Sequence, residues 1–187
     1  MKFDPSKHHR RSIRLKGHDY AGPGAYFLTL VTHQRECLFG EIVDGEMRLN
    51  EAGTIVAECW RAIPARFARA ALDEADKKRP CVVMPNHLHG IILINEDSAA
   101  GKGAPLRPIG TRPGSLAAMV QNLKSTTSRR INALRDTIGA PVWQRNYYEH
   151  IVRDALELAH IRAYIRDNPA QWALDELRPG APEGETQ

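Results

Sequence analysis

The sequence predicts an α+β fold, a ferredoxin-like antiparallel sheet with helices packed on one face, and three observations predict it. Segments of strand character and of helical period follow one another as strand, hairpin, helix and strand, then helix, short strand and helix. The 187 residues leave no room for a doubly wound parallel sheet. The run Cys81 to Ile94, CVVMPNHLHGIILI, is apolar on both sides, as a central strand would be.

Residues Ala25 to His33, AYFLTLVTH, are β-branched and aromatic, and Gly22, Pro23 and Gly24 punctuate their entry, which predicts the first strand. Between Cys37 and Leu49 the pair Asp44-Gly45 is flanked by Ile42, Val43, Met47 and Leu49, a hairpin signal. Asn50 reads as an N-cap, and Ile55, Val56, Cys59, Trp60 and Ile63 form one apolar stripe of a helix that ends around Pro64. Residues 68–80 read as a turn into the strand Cys81 to Ile94. The stretch Glu96 to Gly114 is rich in Gly, Pro and Ala without periodicity and reads as a mobile loop that could cover whatever the preceding strand carries.

Gly114 to Asp136 carries the clearest helical pattern, with Leu116, Met119, Val120, Leu123, Ile131 and Leu134 on one stripe. Pro141 to Tyr148, PVWQRNYY, reads as a short strand or irregular segment in which Trp143 belongs to the core. A last helix runs from about Asp154 to Asp167 and is stopped by Pro169. The expected organisation is a basic arm over 1–20, one domain over 21–175 and a disordered tail over 176–187.

Hydrophobic residues make up 42% of the chain and charged residues 26%, which is enough for a packed core. The net charge of +4 is concentrated: Lys2, Lys7, Arg10, Arg11, Arg14 and Lys16 face only Asp4 in the first sixteen residues. Such an arm favours a polyanion, nucleic acid first. Cys37, Cys59 and Cys81 are too far apart for a CxxC site and odd in number, so a disulfide framework is not expected and a reducing cytoplasm is. Neither a signal-peptide pattern nor an apolar run of membrane-spanning length is present, which predicts a soluble protein.

The chemistry starts at His87 and His89. Side chains two apart on a strand share a face, so both imidazoles project one way while Leu88 points into the core. Two imidazoles are half of a metal site, and further ligands must come from a distant part of the chain.

The motif PNHLHG, the segment WQRNYYEH and the helix end YIRDNP together resemble the single-tyrosine HUH transposases, and in particular the REP-associated tyrosine transposases of the IS200-like group. The opening HHRRSIRLKGHDY followed by AYFLTLVTH is similar to one branch of them, and the likeness runs from about His8 to Trp172. The resemblance implies a divalent cation, Mg or Mn, held by His87, His89 and Asn168 at the scissile phosphate of single-stranded DNA. It implies Tyr164 as the nucleophile that becomes joined to the 5′ end of the DNA. An i, i+4 spacing puts Tyr164 and Asn168 on one helix face, in keeping with that assignment, although the residue before a proline is pushed away from helical geometry. The DNA backbone would be gripped by Arg10, Arg11, Arg14 and Lys16 of the arm with Lys124, Arg129, Arg130 and Arg145. The expected partner is single-stranded DNA, hairpin-containing as in repetitive extragenic palindromes, with no membrane and no nucleotide cofactor. A monomer is expected, with a helix-exchanging dimer as the alternative.

The residues leave other assignments open. Tyr147 and Tyr148 are rival nucleophiles, and His150 or His160 could help activate a phenol whose ordinary pKa is about 10. A domesticated hairpin-binding protein that does not cut, or a metallohydrolase using a zinc-bound hydroxide, would share the histidine pair.

Overall fold

The computed structural model describes residues 18–73, 81–96 and 111–181. The arm residues Arg10, Arg11, Arg14 and Lys16, most of the expected loop and the end of the tail lie outside the described residues. Strand β1 (Gly24–Val31) leads into a hairpin of β2 (Gly40–Val43) and β3 (Glu46–Leu49), then α1 (Glu51–Arg61) and α2 (Ile63–Arg66). Three strands follow, β4 (Ala70–Leu72), β5 (Cys81–Val83) and β6 (His87–Ile94), then α3 (Leu116–Leu134), β7 (Tyr148–Val152) and α4 (Ala155–Asp167). A 3-10 helix, Pro169–Leu174, continues from α4.

The main sheet is antiparallel throughout, in the order β4, β6, β1, β7. Strands β4 and β5 lie end to end along one edge of β6, against Ile92–Ile94 and Leu88–Gly90 respectively. The α+β, ferredoxin-like expectation therefore holds, with the histidine strand central, but the packing of the helices on one face does not: α4 crosses to the other side of the sheet, where Tyr164 meets Phe27 and His89. The hairpin β2–β3 forms its own small sheet around the Asp44-Gly45 turn, whose φ angles of 54° and 77° are both left-handed.

Alternation along the strands sorts the residues into two layers. On β1 and β6 the side chains of Tyr26, Leu28, Leu30, Leu88 and Ile92 belong to the main core with α1 and α3. Gly90 lies on that face because Trp60 of α1 fills the space a side chain would need: a Cβ there would sit 2.3 Å from the indole. The opposite face carries Phe27, Thr29, His87 and His89, and α4 lies over it rather than with the other two helices.

Each long helix starts on the residue its sequence offers as a cap. Asn50 accepts from Gly53 N, Ser115 from Ala118 N and Asp154 from Glu157 N. Helix α3 buries Leu116, Met119, Val120, Leu123 and Ile131 as expected, but Leu134 at its end is 46% exposed. Trp143 is in the core, its Nε1 donating to Thr127 Oγ1 at 2.8 Å.

Four further expectations change. The run Cys81 to Ile94 is a hairpin of two strands, because Pro85 cannot donate to a ladder; Met84 N instead closes on His87 O at 2.8 Å. Within 68–80, Ala70–Leu72 forms an edge strand. Pro64 does not stop helical structure but sits in the first turn of α2, where its missing N–H costs nothing. Glu176 and Leu177, expected in the tail, are held in place: Arg35 donates to Glu176 O and Asn86 to Leu177 O. Among the described residues no helix is long and apolar enough to cross a membrane.

Candidate active site

His87 and His89 project from the same face of β6 with ring centroids 4.5 Å apart, and both are buried. Each ring is held by its Nδ1. For His87 the partner is Asn86 Oδ1 at 2.8 Å. Asn86 Nδ2 donates to both Arg35 O and Leu177 O, so its other side-chain atom, an oxygen that can only accept, is the one facing His87. His87 therefore carries its proton on Nδ1, and Nε2 presents a lone pair. For His89 the partner is Thr29 Oγ1, 2.8 Å from Nδ1. Phe27 stacks on the His89 ring at 5.4 Å.

Helix α4 brings the tyrosine. Tyr164 Oη lies 3.2 Å from His89 Nε2, and its ring meets Phe27 edge-on. Asn168 follows as the C-cap of α4, keeping helical φ and ψ of −56° and −42° even though Pro169 follows it. It is buried, and its Nδ2 approaches Asp175 Oδ2 at 3.5 Å. The 3-10 helix Pro169–Leu174 then folds the chain back so that Asp175 enters the site. Asp175 Oδ2 is 3.7 Å from His87 Nε2, while Oδ1 accepts from Leu177 N.

His87, His89 and Asp175 form a group whose ligand atoms lie within 4.8 Å of one another. Two buried atoms, His87 Nε2 and Asn168 Oδ1, have no hydrogen-bond partner among the described residues. Buried polar atoms are nearly always satisfied. Two imidazole nitrogens, a carboxylate and an amide oxygen form a mixed donor set that suits Mn and, with added waters, Mg. The residues present thus fit a divalent cation.

The electrostatics agree with a ligand role. Burial pushes the His87 imidazolium down to about 4 against the pull of the Asp175 charge, and burial with the neighbouring His87 holds His89 well below the ordinary range. Both rings are neutral, as ligands must be. Burial and the Asp175 charge push the Tyr164 phenol above its ordinary value. The site opens into a cavity of about 670 Å³, lined by Phe27, Tyr148, Tyr164 and Asp175 and by the amides of Gln144, Asn146 and Gln171.

The structure brings together Tyr164, His87, His89 and Asn168 and adds Asp175, which no motif or periodicity singles out. Asn86 and Thr29 were also missed, although Asn86 lies in the PNHLHG motif. Of the rival tyrosines, Tyr148 lies at the cavity rim, edge-on to Phe27, and Tyr147 lies under Lys124, whose Nζ is 5.5 Å from its ring. His150 is 2.7 Å from Glu157, and His160 is exposed.

The basic residues do not converge. Lys124 donates to the carbonyls of Gln144 and Asn146 and is pushed down to about 8 by burial. Arg130 turns toward α1 and pairs with Glu58 at 2.6 Å, away from the cavity. Arg129 and Arg145 are exposed along grooves on the polar side of α3.

The antiparallel sheet and its helices have the IS200-like, REP-associated transposase-like fold. The solved REP-associated tyrosine transposase bound to a REP hairpin superposes with a TM-score of 0.55 at 15% identity, over 88% of this chain and 77% of that one. No family model matches the chain. A Haemophilus influenzae protein described as uncharacterized is 39% identical over 185 residues, 94% of this chain and 97% of its own, and the chain belongs to the same family.

Proposed function

We propose that the protein is a metal-dependent transposase or endonuclease that nicks and rejoins single-stranded, hairpin-containing DNA through Tyr164. The observation that carries this is the meeting of Tyr164 Oη with His89 Nε2 at 3.2 Å inside a buried group of two histidines, Asp175 and Asn168. A fold shared with a hairpin-bound transposase adds support.

His87, His89, Asp175 and Asn168 would hold the cation. Bound there, it supplies Lewis-acid polarisation of a phosphoryl oxygen and a positive charge that favours the phenolate. The chain's residues do the rest. Asn86 and Thr29 keep Nε2 of both histidines turned toward the site, and the sheet keeps the rings dry. Tyr164 attacks phosphorus: the Oη–P bond forms, the P–O3′ bond breaks with its electron pair passing to O3′, the phenol proton passes to water, and O3′ takes up a proton from water. The 5′ end stays on Tyr164 and the 3′ end departs as a hydroxyl, so the bond energy is conserved for rejoining without ATP. Tyr148, exposed at the cavity rim, offers an aromatic face to an unstacked base beside the scissile phosphate. The three free cysteines fit work in the cytoplasm.

The test incubates labelled single-stranded hairpin DNA with Mn or Mg and wild-type or Tyr164→Phe protein, on a denaturing gel. A covalent band that needs the metal and disappears in the variant is expected. A band that survives in Tyr164→Phe overturns the assignment, and hairpin binding without any band favours a protein that binds and does not cut.

A further inference from the structure

Helix α4 carries the candidate nucleophile, yet none of its residues is buried, and Leu156 on it is 68% exposed. By contrast α1 buries Val56, Ala57 and Trp60, and α3 buries a full stripe. Its apolar stripe of Leu158, Ile161 and Ile165 is only half-buried, so apolar contact alone holds the rotation of the helix loosely. Something else must set the direction in which Tyr164 points.

Polar clamps at opposite edges of the sheet do this. Near the start of α4, Glu157 accepts from Arg153 N and meets His150 of the edge strand β7, both at 2.7 Å. Two residues before Tyr164, Arg162 reaches Asp73, which follows β4 at the other edge. Its Nε donates to Oδ2 at 2.8 Å and its Nη2 to Oδ1 at 2.5 Å. The Asp73 side chain is only 10% exposed, so the fork is screened from water at its acidic end. A two-point guanidinium–carboxylate fork fixes orientation as well as distance. Residues two apart on a helix project about 200° from each other, so holding Arg162 toward the β4 edge fixes the rotation that aims Tyr164 at His89.

We infer that Asp73 and Arg162 are the positioning pair for Tyr164, the contact that sets α4 so that the phenol oxygen meets the metal site; this rests on the function proposed above. Neither residue touches DNA or the cation in this role. The rotation of the helix, and with it the near-attack placement of Oη, depends on the fork.

The test measures covalent adduct formation on saturating labelled hairpin DNA with Mn in Arg162→Lys, which keeps the charge and loses the fork, in Asp73→Asn, and in the double variant. Each single change is expected to slow the adduct about tenfold or more. Hairpin affinity and Mn affinity should stay within about twofold of wild type, and the double variant should be no slower than the worse single one. Wild-type rates in both single variants, beside a Tyr164→Phe control that forms no adduct, overturn the inference and leave the function standing. So does a loss confined to thermal stability or hairpin affinity. An adduct that survives Tyr164→Phe overturns both.

Discussion

Thr29 stands directly opposite His89 across the β1–β6 ladder, and its hydroxyl lies 2.8 Å from the ring's Nδ1. A cross-strand neighbour thus orients a candidate ligand. Thr29→Val keeps the shape and removes the oxygen. Its expected effect is a loss of about 10- to 100-fold in Mn affinity, read by isothermal titration, with the fold intact by circular dichroism. An unchanged affinity would show that the hydroxyl has no part in orienting the ring.

Asp175→Asn tests the ligand no motif announced. A cation at 100 times its Kd raises wild-type stability by about 2.7 kcal/mol, so Mn should lift the melting temperature and EDTA should reverse the shift. The variant keeps an oxygen for Leu177 N but loses the charge, and its Mn-induced shift should shrink to a small fraction of the wild-type one. Equal shifts in the two proteins would remove Asp175 from the ligand set.

Gly90→Ala probes the core beneath the histidines. The added methyl would lie 2.3 Å from Trp60 Cζ2, which has no room to retreat because Trp60 is fully buried. Overpacking of this kind should lower stability by about 1–3 kcal/mol in urea denaturation, and a smaller residue at 60 should return part of it. A neutral Gly90→Ala would mean the indole moves freely.

Lys124 makes a prediction about pH. Its folded value of about 8 lies below the 10.5 of a free lysine, so below pH 8 both folded and unfolded chains carry the proton. Between about 8 and 10.5 the unfolded chain binds more protons, and stability rises with pH. Cys81, pushed up to about 12 from an ordinary 9, tilts the curve the other way above 9 in any variant that keeps it. The difference between wild type and Lys124→Met therefore isolates the lysine: relative to the variant, wild type should gain stability from pH 8 to 10. A flat difference would place the ammonium in water.

How much of this was legible in the sequence depends on the range of the signal. The i, i+2 pairing of His87 and His89 and the i, i+4 pairing of Tyr164 and Asn168 are local geometry, and the fold preserves both. The strand Ala70–Leu72 is too short and too rich in alanine to show a β pattern; it exists because the edge of β6 offers it partners. Pro85 did mark the break in the histidine run, but continuous apolarity on either side hid it. Asp175 has no local signature, since it reaches the site only through the fold-back of Pro169–Leu174. The same holds for Arg162 and Asp73, 89 positions apart and joined only by tertiary structure.

The site is finished from the C-terminal side: Tyr164, Asn168 and Asp175 all follow the last strand of the main sheet. A chain ending after β7 would therefore keep both imidazoles on their strand and lose the phenol, the amide and the carboxylate together.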